Sequence, residues 1–272
     1  MKINTIKELF KKLSIDTLYS LELIIQYSDN ANQLYTIIEL VLKNKEINRV
    51  DYFQGINEYD FLTKLHNFDL TSINTHIEIF NNEELAILKK IIESAIMKIT
   101  PQHIEKKFIP SLNKTLDIIC YQLPDELSEN DLEIFLAKMT ITDLDAFYFI
   151  VKYAWDIDKD LLYKLTDKKY NKAGIKRWAY FSIPYNQVDF GLLSMLNNIT
   201  KFNYQELKYL YLLVDNASFY LTNNIRLNDP DAEAVKIHLI QLRDLIDSEI
   251  QYKEANIAKL STKRKIKIPK TN

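Results

Sequence analysis

Glycine is almost missing from this chain. Only Gly55, Gly174 and Gly191 occur in 272 residues, where average usage would give roughly 19. Glycine supplies positive φ, close approach of backbone to phosphate, and tight turns between strands. Its scarcity therefore argues against phosphate-cradling loops, doubly wound nucleotide folds and hairpin-rich sandwiches. Cysteine is reduced to Cys120, which excludes an internal disulfide. That residue sits in the apolar run Leu116-Asp117-Ile118-Ile119-Cys120-Tyr121 as a small buried hydrophobe would. No run of about 18 uncharged apolar residues could form a transmembrane helix. The N-terminal residues lack the apolar stretch and small-residue cleavage site of a signal peptide, so a cytoplasmic location is expected. A net charge of −2 gives no global attraction to polyanions, and such binding would need a local patch. There is no Walker-type loop, no Gly-x-Ser-x-Gly elbow, no His-Glu-x-x-His and no paired-cysteine zinc spacing. Neither a cofactor nor a metal is expected.

What is present reads as helices. Hydrophobic residues make up 47% and charged residues 26%, an ordinary globular balance. Ser14, Asn82, Ser128 and Thr140 each stand before an acidic first turn, where a side-chain acceptor and negative charge satisfy orphan N–H groups. Leu85, Leu88, Ile91, Ile92 and Ile96 then recur at steps of three and four. Thr100-Pro101 and Asp229-Pro230 add proline at the first helical position, where its missing donor costs nothing. The second opens the longest candidate helix, to about Leu260, with Val235, Leu239, Leu242, Ile246, Ile250, Ile257 and Leu260 on one stripe. Between 47 and 80 the pattern weakens. Asn48–Phe53 and Ile73–Ile79 alternate with period two, as a minor β-hairpin or an irregular insert would. Leu123-Pro124-Asp125-Glu126 is the best interior break. It predicts an N-terminal helical subdomain over 1–123, a C-terminal one over 124–260, and a basic flexible tail over 261–272. Leu13-Ser14-Ile15-x-x-Leu18 resembles Met139-Thr140-Ile141-x-x-Leu144, 126 residues away. With no third copy at a regular interval, this is either shared capping grammar or a distant duplication.

Candidate chemistry is sparse. Asp156, Asp158, Asp160 and Asp167 space carboxylates like a calcium loop, but Leu161 stands where glycine is needed and Asp167 where a bidentate glutamate belongs. A helix cap by Asp156 or Asp158 explains them equally well. His66, His76, His103 and His238 share no metal-ligand spacing. The segment that stands out runs from Lys168 to Phe181: Lys168, Lys169, Lys172, Lys176 and Arg177 interleave with Tyr170, Trp178 and Tyr180 around Gly174. Cations beside π faces suit single-stranded nucleic acid or an acidic protein surface; an inter-helix turn with its aromatics in the core is the plainer alternative. Lys263, Arg264, Lys265 and Lys267 form a basic arm at the C-terminal end. From Phe147 to Tyr220 there are 18 aromatics in 74 residues, most of which a tyrosine- and phenylalanine-rich core would absorb.

The sequence thus predicts an all-α fold, an irregular multi-helix bundle or helical array. Its leading functional expectation is a non-enzymatic adaptor or assembly component that binds a protein partner through helical surfaces. RNA or single-stranded DNA binding through 168–181 and the tail is the alternative, and an all-α enzyme with a composite site is a third.

Overall fold

The computed structural model describes residues 3–25, 27, 30–45, 70, 73–74, 77–98, 105–124, 126–155, 157–175, 184–224 and 230–265. Among them the fold is all-α, with eleven α-helices and no strand. The chain divides into two compact units, Met1–Pro124 and Asp125–Asn272. No helix among the described residues is long and apolar enough to cross a membrane.

The first unit holds α1 (Ile3–Lys12), α2 (Ile15–Ile25), α3 (Ala31–Asn44), a 3-10 turn (Ile77–Ile79), α4 (Asn82–Lys98) and α5 (Glu105–Gln122). Helix α1 is steeply amphipathic: Ile6, Leu9 and Phe10 are buried, and Lys11 faces water beside Glu8. The predicted first-turn proline at Pro101 lies outside the described residues, as do Asn48–Phe53. The described part of the other candidate strand is helical instead. Ile73 and Asn74 donate to the Leu70 carbonyl, and Ile77–Ile79 close a turn onto Phe80. Hydrogen bonds to carbonyls three and four residues earlier make this stretch helical in spite of its alternation.

The second unit holds α6 (Glu129–Ala137), α7 (Ile141–Tyr153), α8 (Lys159–Lys172), α9 (Tyr185–Asn198), a 3-10 turn (Ile199–Lys201), α10 (Tyr204–Asn224) and α11 (Pro230–Lys265). Ser128 and Thr140 each form a full capping box, with Asp131 and Asp143 as reciprocal partners. The cap expected at Asn82 belongs to Asn81, whose Oδ1 accepts from the Glu84 amide at 3.0 Å. Glu84 is then the third helical residue, where it reaches back to the Asn81 amide. Helix α11 continues past Leu260 through Lys263, Arg264 and Lys265, because nothing before Pro269 interrupts it.

Phe135 centres the core of the second unit. Its ring meets Phe202 at 5.2 Å, Phe147 at 5.7 Å edge-on and Tyr209 at 6.2 Å edge-on. Burial, with a smaller contribution from the Asp158 charge, pushes the Tyr209 phenol up to about 12. Gly191 lets α9 approach α7 closely: a Cβ there would lie 2.5 Å from the Thr142 carbonyl oxygen and 2.8 Å from the Ala146 Cβ.

Candidate interaction surface

Helix α8 carries the first half of the basic and aromatic segment. Asp158 caps it, accepting from the Leu161 amide at 2.9 Å, so the carboxylate run is a helix start here. At the other end Gly174 adopts φ +74°. The Gly174 amide donates to Asn171 and the Ile175 amide to Tyr170, both at 3.0 Å, the Schellman closure of a helix. This glycine therefore serves the backbone. Gly174→Ala is expected to cost about 1–2 kcal/mol, the penalty for left-handed backbone in a residue with a Cβ; a urea titration followed by circular dichroism measures it.

The inner face of α8 buries Leu162, Leu165, Thr166 and Tyr170. Tyr170, 1% exposed, gives its ring to the core and donates its hydroxyl to Asp145 Oδ1 at 2.7 Å. It offers no stacking face to a ligand. Burial raises the Asp145 carboxyl above its ordinary range, and the tyrosine hydrogen bond opposes that rise.

The lysines divide by register. Lys169 turns inward, half-buried, and its ammonium donates to the Leu136, Ala137 and Met139 carbonyls at the end of α6. A cation there satisfies orphan acceptors and complements the helix dipole. Burial lowers its pKa, and the neighbouring Asp143 charge resists that shift. On the outer face Lys164 stands 4.0 Å from Glu129, and Lys168 2.6 Å from Glu133. The pairs match because both helices repeat at four residues. The Lys168 hydrogen bond holds the Glu133 carboxyl below its usual range. Along this face runs a cleft of about 770 Å³ lined by Asp160, Tyr163, Lys164, Asp167, Lys168, Asn171 and Lys172. It carries charges of both signs. Lys176, Arg177, Trp178 and Lys267 lie outside the described residues, and Lys263, Arg264 and Lys265 form the last turn of α11.

A second feature escaped the sequence reading. Trp155, Phe219 and Tyr220 are 39%, 59% and 38% exposed. Trp155 meets Phe219 edge-on at 5.6 Å, and Tyr220 lies 5.3 Å from Tyr153. Tyr153 continues inward to Phe149 at 4.8 Å, and Phe149 to Tyr185 at 5.9 Å. Tyr220, Tyr153 and Phe149 thus run from the surface to the core, and Trp155 and Phe219 form a separate exposed pair. Asn216 ties α10 to Trp155 by donating to the Trp155 carbonyl at 3.2 Å. Burial, then the neighbouring Tyr220, raises the Tyr153 phenol, and a Tyr185 hydrogen bond opposes it. The aromatic density over 147–220 held the signal. Separating core rings from surface rings required the three-dimensional placement of α7 against α10.

Among the described residues no three His, Cys, Asp or Glu side chains converge as a metal site requires. His238 Nδ1 contacts the Asp189 carboxylate, linking α11 to α9, while His66, His76 and His103 lie outside the described residues. No known protein family, curated protein or solved structure matches the chain.

Proposed function

We propose that this is a non-enzymatic interaction protein, a cytoplasmic adaptor or assembly component that binds a protein partner through a helical surface of its second unit. The observation that carries this reading is the exposed pair Trp155 and Phe219, two large rings packed edge-on at the surface, with Tyr220, also exposed, next in sequence to Phe219. Contiguous exposed apolar groups mark association sites, and tryptophan and tyrosine dominate binding energy where they occur. Ordering such rings costs little because they are already packed.

The basic face of α8 fits nucleic acid less well. Lys164 and Lys168 already face Glu129 and Glu133, so a phosphate would compete with carboxylates and meet their repulsion. Lys169 is committed to α6.

Affinity capture from native cells, run with and without nuclease, tests the reading. The expected result is a protein partner retained after nuclease. Loss of all bound material on nuclease treatment, or binding to single-stranded oligonucleotides that falls steeply with salt, would replace it with RNA or single-stranded DNA binding. Turnover of a substrate by the purified protein would replace it with an enzyme.

A further inference from the structure

We infer that the chain is two copies of one helical module in tandem, each closed by the same lysine–glutamate–asparagine clasp. In the first unit Lys12, at the end of α1, donates to Glu84 Oε2 at 2.7 Å and to the Ile79 carbonyl at 3.1 Å. In the second, Lys138, directly after α6, donates to both oxygens of Glu206, at 2.8 and 2.6 Å. Each glutamate is buried, 2% and 1% exposed, and is the third residue of its helix. Each reaches back to the amide of an asparagine whose Oδ1 accepts the glutamate's own amide, Asn81 in one unit and Asn203 in the other. Before each asparagine comes a 3-10 turn ending on a buried phenylalanine, Phe80 or Phe202. A buried charge pair with a reciprocal cap is costly to assemble, and its recurrence in matching places has no explanation in local helix chemistry.

The surroundings match as well. Ile77, Phe80, Asn81, Glu84, Leu85, Leu88 and Ala95 recur unchanged 122 residues later, from Ile199 to Ala217. Lys12, Ile15, Leu18, Ile24 and Tyr27 recur 126 residues later, from Lys138 to Tyr153. Burial follows the same register: Ile6, Leu9, Phe10, Leu13, Leu18 and Leu21 correspond to Leu132, Phe135, Leu136, Met139, Leu144 and Phe147, all buried. Ser14 and Thr140 both cap the second helix. In both units a lysine donates to the carbonyl just after the first helix, Lys45 to Leu13 and Lys169 to the equivalent Met139, from places one helical turn apart in register. Three helix pairings agree, although α9, which packs on α7 and α11, has no counterpart among the described residues of the first unit. Helix α1 packs on α3 as α6 does on α8, α2 on α4 as α7 on α10, and α4 on α5 as α10 on α11. What is absent from the first copy is informative too. Phe219 and Tyr220 correspond to Met97 and Lys98, and Lys164, Lys168 and Lys172 to Thr36, Leu40 and Asn44. The module folds without the aromatic cluster or the lysine stripe.

Two measurements on the full chain test the duplication. Ile77–Ala95 is replaced by the sequence of Ile199–Ala217, in register, and in a second protein by Asn198–Asn216, one residue out of register. The in-register exchange should keep helix content and amide protection of the first unit. The shifted one should lower that protection on the order of tenfold or more, because it turns buried positions outward. Equal damage from both exchanges would overturn the inference. In the second measurement Glu84→Gln should speed amide exchange most in α1 and α4, on the order of tenfold, and Glu206→Gln most in α6 and α10. Increases centred on helices that do not correspond would also overturn it.

Discussion

Lys138→Met is expected to destabilise the second unit by about 3–5 kcal/mol, the cost of stripping one partner from a buried ion pair. Lys138 is 12% exposed and Glu206 1%, so the pair is nearly dry. Without the ammonium, the Glu206 carboxylate keeps the Asn203 amide hydrogen bond at 2.7 Å and loses its counter-charge. Lys12→Met should cost less, because Lys12 is 35% exposed and solvent already moderates that pair. Urea unfolding followed by circular dichroism would measure both, and the double change Lys138→Met with Glu206→Met should recover part of the loss. Equal, small effects at both positions would mean that the clasps are surface contacts of little weight.

Gly191→Ala is the second large effect. At an exposed helix position this change stabilises by roughly 0.5–1 kcal/mol through backbone entropy. Here the new Cβ would lie 2.5 Å from the Thr142 carbonyl oxygen and 3.0 Å from the Ala146 amide nitrogen. Those are backbone atoms of α7 and cannot rotate aside. Overpacking should outweigh the entropic gain and leave a net loss of about 1–3 kcal/mol, with Gly191→Val worse. Thermal melts would show it. A stabilised Gly191→Ala protein would mean that α7 and α9 do not meet this closely.

The two described glycines divide what the sequence could and could not reveal. Gly174 closes α8, a local role that follows from its place after a helical run. Gly191 lies within a helix, and its role depends on α7, a separate element that no nearby residue announces. Helix starts were legible for the same reason as Gly174: Ser128 with Asp131 and Thr140 with Asp143 are pairs three residues apart whose chemistry is self-contained. The clasps join residues 72 and 68 apart, so neither shows in a local pattern. Lys12 and Lys138 read as ordinary helix-end lysines. The duplication was half visible for a related reason. The spacing between matching residues changes from 126 to 122 between the first helix pair and the clasp glutamates, which defeats a search for one fixed period. In the candidate surface, adjacency in sequence does not give a shared direction. Lys168, Lys169 and Tyr170 are adjacent in sequence, yet helical rotation sends the first to Glu133, the second to the end of α6 and the third into the core. Trp155 and Phe219, far apart in sequence, come together at the surface.

That binding acts through those rings is tested most directly by quantitative affinity capture from nuclease-treated native extract. The baits are the wild-type chain, Trp155→Ala with Phe219→Ala, and Lys164→Ala with Lys168→Ala and Lys172→Ala, each checked for unchanged helix content. The account predicts that the aromatic pair lowers partner recovery on the order of tenfold or more, as loss of interface anchors does, and that the lysine variant captures as the wild type does. Loss of the partner in the lysine variant with full recovery in the aromatic one would contradict it.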